Sequence, residues 1–213
     1  MVNVFIELFE DFIFISSGVF YTIGLLVFSL TLGLFLAVLY LPFRKLFPVS
    51  YCVNRTISLI RGTPLMLQLC IIYYCGIIEN IFLAGVLTFG LNSFAYISEI
   101  FRSGIAGIPN GQFEAARTLE IPRFHMWKSI IMPQVLRNTL PSIVNETVTL
   151  VKESALISII GGGDIMRFTQ IISAQKFIFF KPLLIAGTYY YIIVLFIEYI
   201  GEKLYTKINA KDS

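Results

Sequence analysis

The chain holds 213 residues, with 16 Lys and Arg against 13 Asp and Glu and a formal net charge of +3. Its composition is 57% hydrophobic and only 14% charged, with a mean hydropathy of +0.81, whereas a soluble domain carries about 25% charged residues. That balance excludes a soluble globular fold, and the absence of any basic stretch interleaved with aromatics argues against a nucleic-acid partner.

Run length sets the elements, because a helix crossing ~30 Å of hydrocarbon needs about 20 mainly apolar residues. Residues 1–17 contain Glu7, Glu10 and Asp11 and no Lys or Arg. They lack the basic start of a secretory signal, and the run that follows reads as a retained span. That first span covers 18–41, about 24 residues or ~36 Å of helix. Pro42 and Arg44-Lys45 end it, and 42–61 carries Arg44, Lys45, Arg55 and Arg61 with no acid. A second span covers 64–78 and stops at Glu79-Asn80. A third, 82–105, contains Glu99 and ends near Arg102. A polar loop, 106–129, separates it from a fourth span, 130–157, which holds Asn138, Pro141, Asn145, Glu146, Thr147, Lys152 and Glu153. Gly161-Gly162-Gly163 breaks that span. A connecting segment, 164–181, leads to a fifth span, 182–199, and a tail with Lys203, Lys207 and Lys211. The expectation is one all-α membrane domain over 1–213 with about five transmembrane helices. The Lys/Arg bias of the loops places the N-terminus outside and the C-terminus in the cytoplasm. Segment 164–181, with three basic residues on the outer side, is the one exception.

The 106–129 loop has too much charge for lipid and an apolar seam to hide. Asn110 is a candidate N-cap for a helix over 111–119. Phe113, Ala116 and Leu119 make a stripe, flanked by Glu114 and Arg117. Pro122 ends the helix, and a further turn presents Phe124 and Trp127 beside Arg123 and Lys128. Two readings fit. The segment is an amphipathic helix on anionic lipid, or a docking helix for a soluble protein, whose backbone the small alanines let approach.

Ionisable groups inside a membrane face a pathway or one another. Glu99 and Arg102, three apart, pair most simply with each other. Glu146 and Glu153 are two turns apart on the fourth span, as are Asn145 and Lys152. Together they form a polar strip that lines a water-filled path or glues helices together. Cys52, Cys70 and Cys75 offer no paired spacing, and Cys70 and Cys75 read as packing residues in an apolar run. His125 has no nucleophile or acid to serve. Gly161-Gly162-Gly163-Asp164 lacks the lysine of a phosphate-binding loop, so ATP hydrolysis is not expected in this chain.

Glu114-Ala115-Ala116, followed by Ile130-Ile131-Met132-Pro133, resembles the EAA signature of ATP-binding cassette (ABC) importer permeases. That signature is Glu-Ala-Ala, three residues, Gly, nine residues, Ile, one residue, Leu-Pro. Ile130 and Pro133 are in register. Met132 replaces Leu at similar volume. Glu120 stands at the glycine, where the helix would end in a left-handed turn that costs a side chain energy; Pro122 is the alternative terminator. The resemblance to the polar amino-acid subgroup (histidine/glutamine/arginine permease-like) extends over about 18–200. It includes Arg61-Gly62-Thr63-Pro64-Leu65 with Gln68, then Ala95-Tyr96, Glu99-Ile100-Phe101-Arg102, Gly104-Ile105, Ile108-Pro109 and Gly111-Gln112. Pro133-Gln134, Arg137, Leu140-Pro141, Asn145, Lys152 and Ser154 continue it.

The resemblance implies a type I ABC importer (MetI-like) permease fold in the bacterial cytoplasmic membrane and alternating-access transport of polar amino acids. It implies a second permease copy or paralogue, a cytoplasmic ATPase dimer that binds ATP and Mg, and an external solute-binding protein. No cofactor is expected in the chain itself. Phe113, Glu114, Ala115, Ala116, Arg117 and Leu119 would form the ATPase-docking coupling helix. Gln68, Asn145, Glu146, Lys152 and Glu153 would be the translocation path. A secondary transporter or channel, or a non-transporting membrane scaffold, is the alternative.

Overall fold

The computed structural model describes residues 2–209, and every regular element among them is helical. The centre is α2 (Val19–Tyr40) laid against α5 (Ile81–Ala106). Small residues permit the approach: Ala84, Gly85, Ser93, Ala95 and Ser98 are buried along α5. A Cβ on Gly33 of α2 would lie 2.7 Å from Ser93 Cβ and 2.9 Å from the Phe94 backbone nitrogen. In lipid the apolar effect does not drive helices together, so such close backbone packing is the main source of cohesion. Asn80 starts α5 sharply, its side chain accepting from Leu83 N–H at 3.0 Å.

The apolar helical stretch around the expected first span extends back before residue 18. A helix α1 (Val2–Ser16) runs almost directly into α2, and the apolar stretch Ile6–Arg44 spans 39 residues. Three acids make 1–17 look too polar for this role. The structure neutralises one of them: Lys176 donates to Asp11 at 2.6 Å, and Asp11 is buried. Tyr189 O–H also donates to the Phe12 carbonyl at 3.0 Å, and Ile15 is fully enclosed.

The second span is broken. α3 (Val49–Gly62) and α4 (Leu65–Tyr74) meet at 104°. Pro64 excludes the helical region for Thr63, which is extended at φ −117 and ψ 146. With ten residues, α4 covers only ~15 Å and does not cross alone. Its Cys70 packs against the core, but Cys75, expected to be packed, is exposed at its end.

α6 (Asn110–Thr118) and the short α7 (Arg123–His125) follow α5. A π-helical segment, Met126–Ile131, then feeds α8 (Met132–Glu153), which tightens into a 3₁₀ turn, Ser154–Ile160, and stops at Gly161 with φ +89. The 164–181 segment is not a mere connection. It forms α9 (Ile165–Lys176), set at 51° to the preceding helix. Asp164 caps it, accepting from Arg167 N–H at 2.9 Å and Met166 N–H at 3.2 Å. Asp164 is fully buried and also takes the Tyr190 hydroxyl at 3.0 Å, tying α9 to the last helix. Gly18 makes room for this joint, since a Cβ there would lie 2.5 Å from the Asp164 carbonyl carbon.

α10 (Phe180–Asn209) has 30 residues, well beyond the expected 182–199, and its apolar length is almost unburied within the chain. Lys211 lies outside the described residues. Three helical stretches are long and apolar enough to cross a membrane alone, and up to five when each bent pair counts as one span.

Candidate functional site

Two surfaces carry the polar residues singled out by the sequence. The first is α6 and its seat. Asn110 is not the N-cap. Pro109 holds that position at φ −58 and ψ 135 with no side-chain cap bond, and Asn110 is already helical. The C-terminal end is a Schellman motif: Ile121 N–H reaches the Ala116 carbonyl and Glu120 N–H the Arg117 carbonyl, both at 3.0 Å. Glu120 sits in the left-handed region at φ +53. The chain therefore keeps the turn usually assigned to glycine and bears its steric cost, about 1 kcal/mol. Pro122 does not replace that turn; it follows it. Glu120→Gly is expected to raise thermal stability by about 1 kcal/mol, read as an upward shift of the unfolding midpoint in detergent. A lower midpoint would show that the Glu120 side chain makes a compensating contact.

The stripe Phe113, Ala116, Leu119 does not point one way. Ala116 is 2% exposed and Phe113 is half-buried, its ring edge-on to Trp127 at 6.1 Å. Both join a core cluster with Phe101 of α5 and Ile131 and Val135 at the start of the fourth span. Leu119 is 72% exposed. The reason is geometric: each three-residue step falls 60° short of a full turn, so the stripe has rotated by about 120° at its end. The free face of α6 and its C-cap includes Glu114, Ala115, Arg117 and Leu119. Its inner face packs against the adjoining ends of α5 and the fourth span.

The second surface is on α8. The four residues expected to form one strip divide between two faces. Glu146 is buried against α5, accepting from Ser93 Oγ at 3.3 Å, and Glu153 accepts from Asn92 Nδ2 at 3.2 Å. Asn145 and Lys152 are exposed. They belong to a longer ladder at helical spacing, Asn138, Ser142, Asn145, Thr149 and Lys152, all exposed. Gln68 is in neither group. Its Nε2 donates to the Ile60 carbonyl at 2.8 Å and Thr63 Oγ1 at 2.8 Å, so it clamps the α3–α4 bend.

The lower end of the ladder opens on two adjoining cavities of about 520 and 390 Å³ that share Arg61, Tyr96 and Glu99. Asn138 and Ser142 line one; Arg44, Asn54 and Arg102 line the other. Glu99 accepts from Arg102 Nε at 2.7 Å and from a second guanidinium nitrogen, in keeping with their three-residue spacing. Sequence spacing misses Arg61, which sits 4.0 Å from Glu99 and lies over the Tyr96 ring at 5.3 Å. Asn138 and Ser142 are also additions to the strip, although their i, i+4, i+7 spacing with Asn145 is visible in the sequence. Among the described residues no group of His, Cys, Asp and Glu is placed to hold a metal ion.

Comparison with known proteins defines the class. Residues 29–208 match the family of binding-protein-dependent transport system inner membrane components, and the chain belongs to it. It is 41% identical to the putative glutamine transport system permease protein GlnP of Rickettsia conorii, over 95% of this chain and 96% of that one. It is 40% identical to the arginine transport system permease protein ArtQ of Bacillus subtilis, over 93% and 94%. Among solved structures, an amino acid ABC transporter crystallised with histidines superposes with a TM-score of 0.86 at 31% identity, covering 96% of this chain and 97% of that one. The MetNI methionine ABC transporter, at 18% identity and a TM-score of 0.74, shares the fold. The chain is thus a multi-pass permease component of an ABC importer, and in this family the ATPase is a separate subunit.

Proposed function

We propose that this chain is the translocating subunit of an importer for polar amino acids, and that its path runs along the α8 ladder into the Arg61–Tyr96–Glu99 cavities. The observation that carries this is the ladder itself. Five polar side chains are exposed along α8; the Thr149 hydroxyl bonds back to the Asn145 carbonyl at 3.0 Å, but lipid would strip water from the Asn138 and Asn145 amides and the Lys152 ammonium. That face therefore meets water or another protein. One copy supplies only one wall, so a second permease copy or paralogue closes the path. Glu146 and Glu153 lie one helix face behind the ladder, where their carboxylates accept from Ser93 and Asn92 and hold α8 against α5. The N-terminus lies outside and α6 in the cytoplasm, facing an ATPase dimer that binds ATP and Mg; the solute-binding protein docks at the opposite side. ATP-driven closure of the ATPases pushes on Glu114, Ala115, Arg117 and Leu119, and the Ala116–Phe113–Trp127 seat passes that motion to α5 and α8.

The test is reconstitution with the ATPase and binding protein in proteoliposomes. Uptake of a labelled polar amino acid should require ATP and both partners; uptake without ATP would make the chain a secondary transporter or channel. Asn145→Leu should cut uptake at least ten-fold at unchanged membrane abundance. Full uptake by that variant would remove the ladder from the path.

A further inference from the structure

α3 is bent 104° from α4, so the two cannot both stand along a membrane normal; α4 is uncharged and α3 carries Arg55 and Arg61, which favours α3 as the one in the membrane plane. It is level with the polar end of α5: Ile57 and Ile60 pack with Phe94, Ile97 and Phe101, while Arg61 reaches Tyr96 and Glu99. Opposite that buried side, Phe47, just before the helix, Tyr51, Arg55 and Leu59 recur every fourth residue and are all exposed. The Phe47 and Tyr51 rings stand 6.5 Å apart, and the Arg55 guanidinium lies over Tyr51 at 5.2 Å. No acid occurs between 42 and 61. Phe35, Val38 and Leu39 of α2 are also exposed.

We propose that this outer face of α3 is a docking surface for anionic phospholipid, with Arg55 at the headgroup phosphate and Phe47, Tyr51 and Leu59 in the acyl boundary. Three features fit this occupant. A helix in the membrane plane with aromatic and aliphatic residues beside a cation has the form of an interfacial element. Tyrosine is at home at headgroup depth. A cation with no acid in its segment complements a negatively charged leaflet, which attracts basic side chains close to the membrane.

The test purifies the complete transporter from nanodiscs of phosphatidylcholine containing a third phosphatidylglycerol and counts retained lipids by native mass spectrometry. The unaltered complex should retain phosphatidylglycerol preferentially. Arg55→Gln should lower that retention about five-fold, the equivalent of ~1 kcal/mol, and Tyr51→Ser should lower it in the same direction. Arg55→Lys should keep most of it, and the ATPase should co-purify in every case. Equal phosphatidylglycerol retention by Arg55→Gln and the unaltered chain would overturn the proposal. So would loss of the ATPase from Arg55→Gln and Tyr51→Ser with lipid retention intact, which would assign the face to a protein partner.

Discussion

Glu114→Lys is expected to reduce ATP-driven uptake at least a hundred-fold while the protein still inserts and accumulates in the membrane. Glu114 is exposed on the free face of α6, and its side chain makes none of the contacts that seat the helix. The fold therefore has little to lose. A docked partner has more to lose, because reversing a charge inside an interface juxtaposes like charges or strands a desolvated one, at a cost of several kcal/mol. The measurements are uptake in proteoliposomes and co-purification of the ATPase. Normal uptake with a normally bound ATPase would remove Glu114 from the coupling surface. Ala116→Lys would be a poor substitute for this experiment, since Ala116 is buried in the chain's own core and its failure would report folding.

Gly33→Val is expected to damage the fold severely. The added atoms would meet Ser93 Cβ, the Phe94 nitrogen and the Gly90 carbonyl at 2.7, 2.9 and 3.0 Å. Two of these are backbone atoms in the middle of α5 and cannot turn aside. α2 and α5 would have to separate along the interface that organises the molecule. Overpacking of this kind costs about 3 kcal/mol, or a fall of about 10 °C in the unfolding midpoint for a chain of this size. Gly187 of α10 supplies the control, because a Cβ added there would meet nothing within 4 Å. Gly187→Ala should be neutral or slightly stabilising. Equal midpoints for Gly33→Val and Gly187→Ala would show that the α2–α5 contact is more compliant than its spacing indicates.

The two expectations rest on features that differ in how visible they are in the chain. The helical class, the α5 span and the polar loop are legible because run length and charge are one-dimensional quantities. The Glu114 to Pro133 spacing is legible too, since a motif is a register along the chain. The α3–α4 break is half-legible: Pro64 is in view, but a proline marks where a helix stops, not the angle at which the next one leaves. α1 is hidden because its three acids interrupt the uncharged run from which a span is read, and only the fold brings Lys176 to Asp11 across 165 positions. α9 is hidden because Asp164 and its cap follow three glycines and resemble a connection.

The candidate site divides in the same way. Glu146 and Glu153 share one face of α8, and Asn145 and Lys152 share another. Treating all four as a single strip overlooks the 100° between adjacent positions. Burial decides which pair faces α5 and which faces outward. Gln68 looks like a path residue because it is polar inside an apolar run; its hydrogen bonds to Ile60 and Thr63 make it part of a bend.

By itself, then, the sequence determined the solvent this chain lives in, the approximate number of its spans and the position of the segment that resembles the EAA signature, because hydropathy and motif spacing act locally. Tertiary structure alone decided which side of α6 is free, which face of α8 is polar and open, and that Arg61 joins Glu99 from another helix. Those facts depend on how helices rotate and cross. Rotation is set by close contacts between residues far apart in the chain, such as Gly33 on Ser93 and Gly18 on Asp164, which no local pattern encodes.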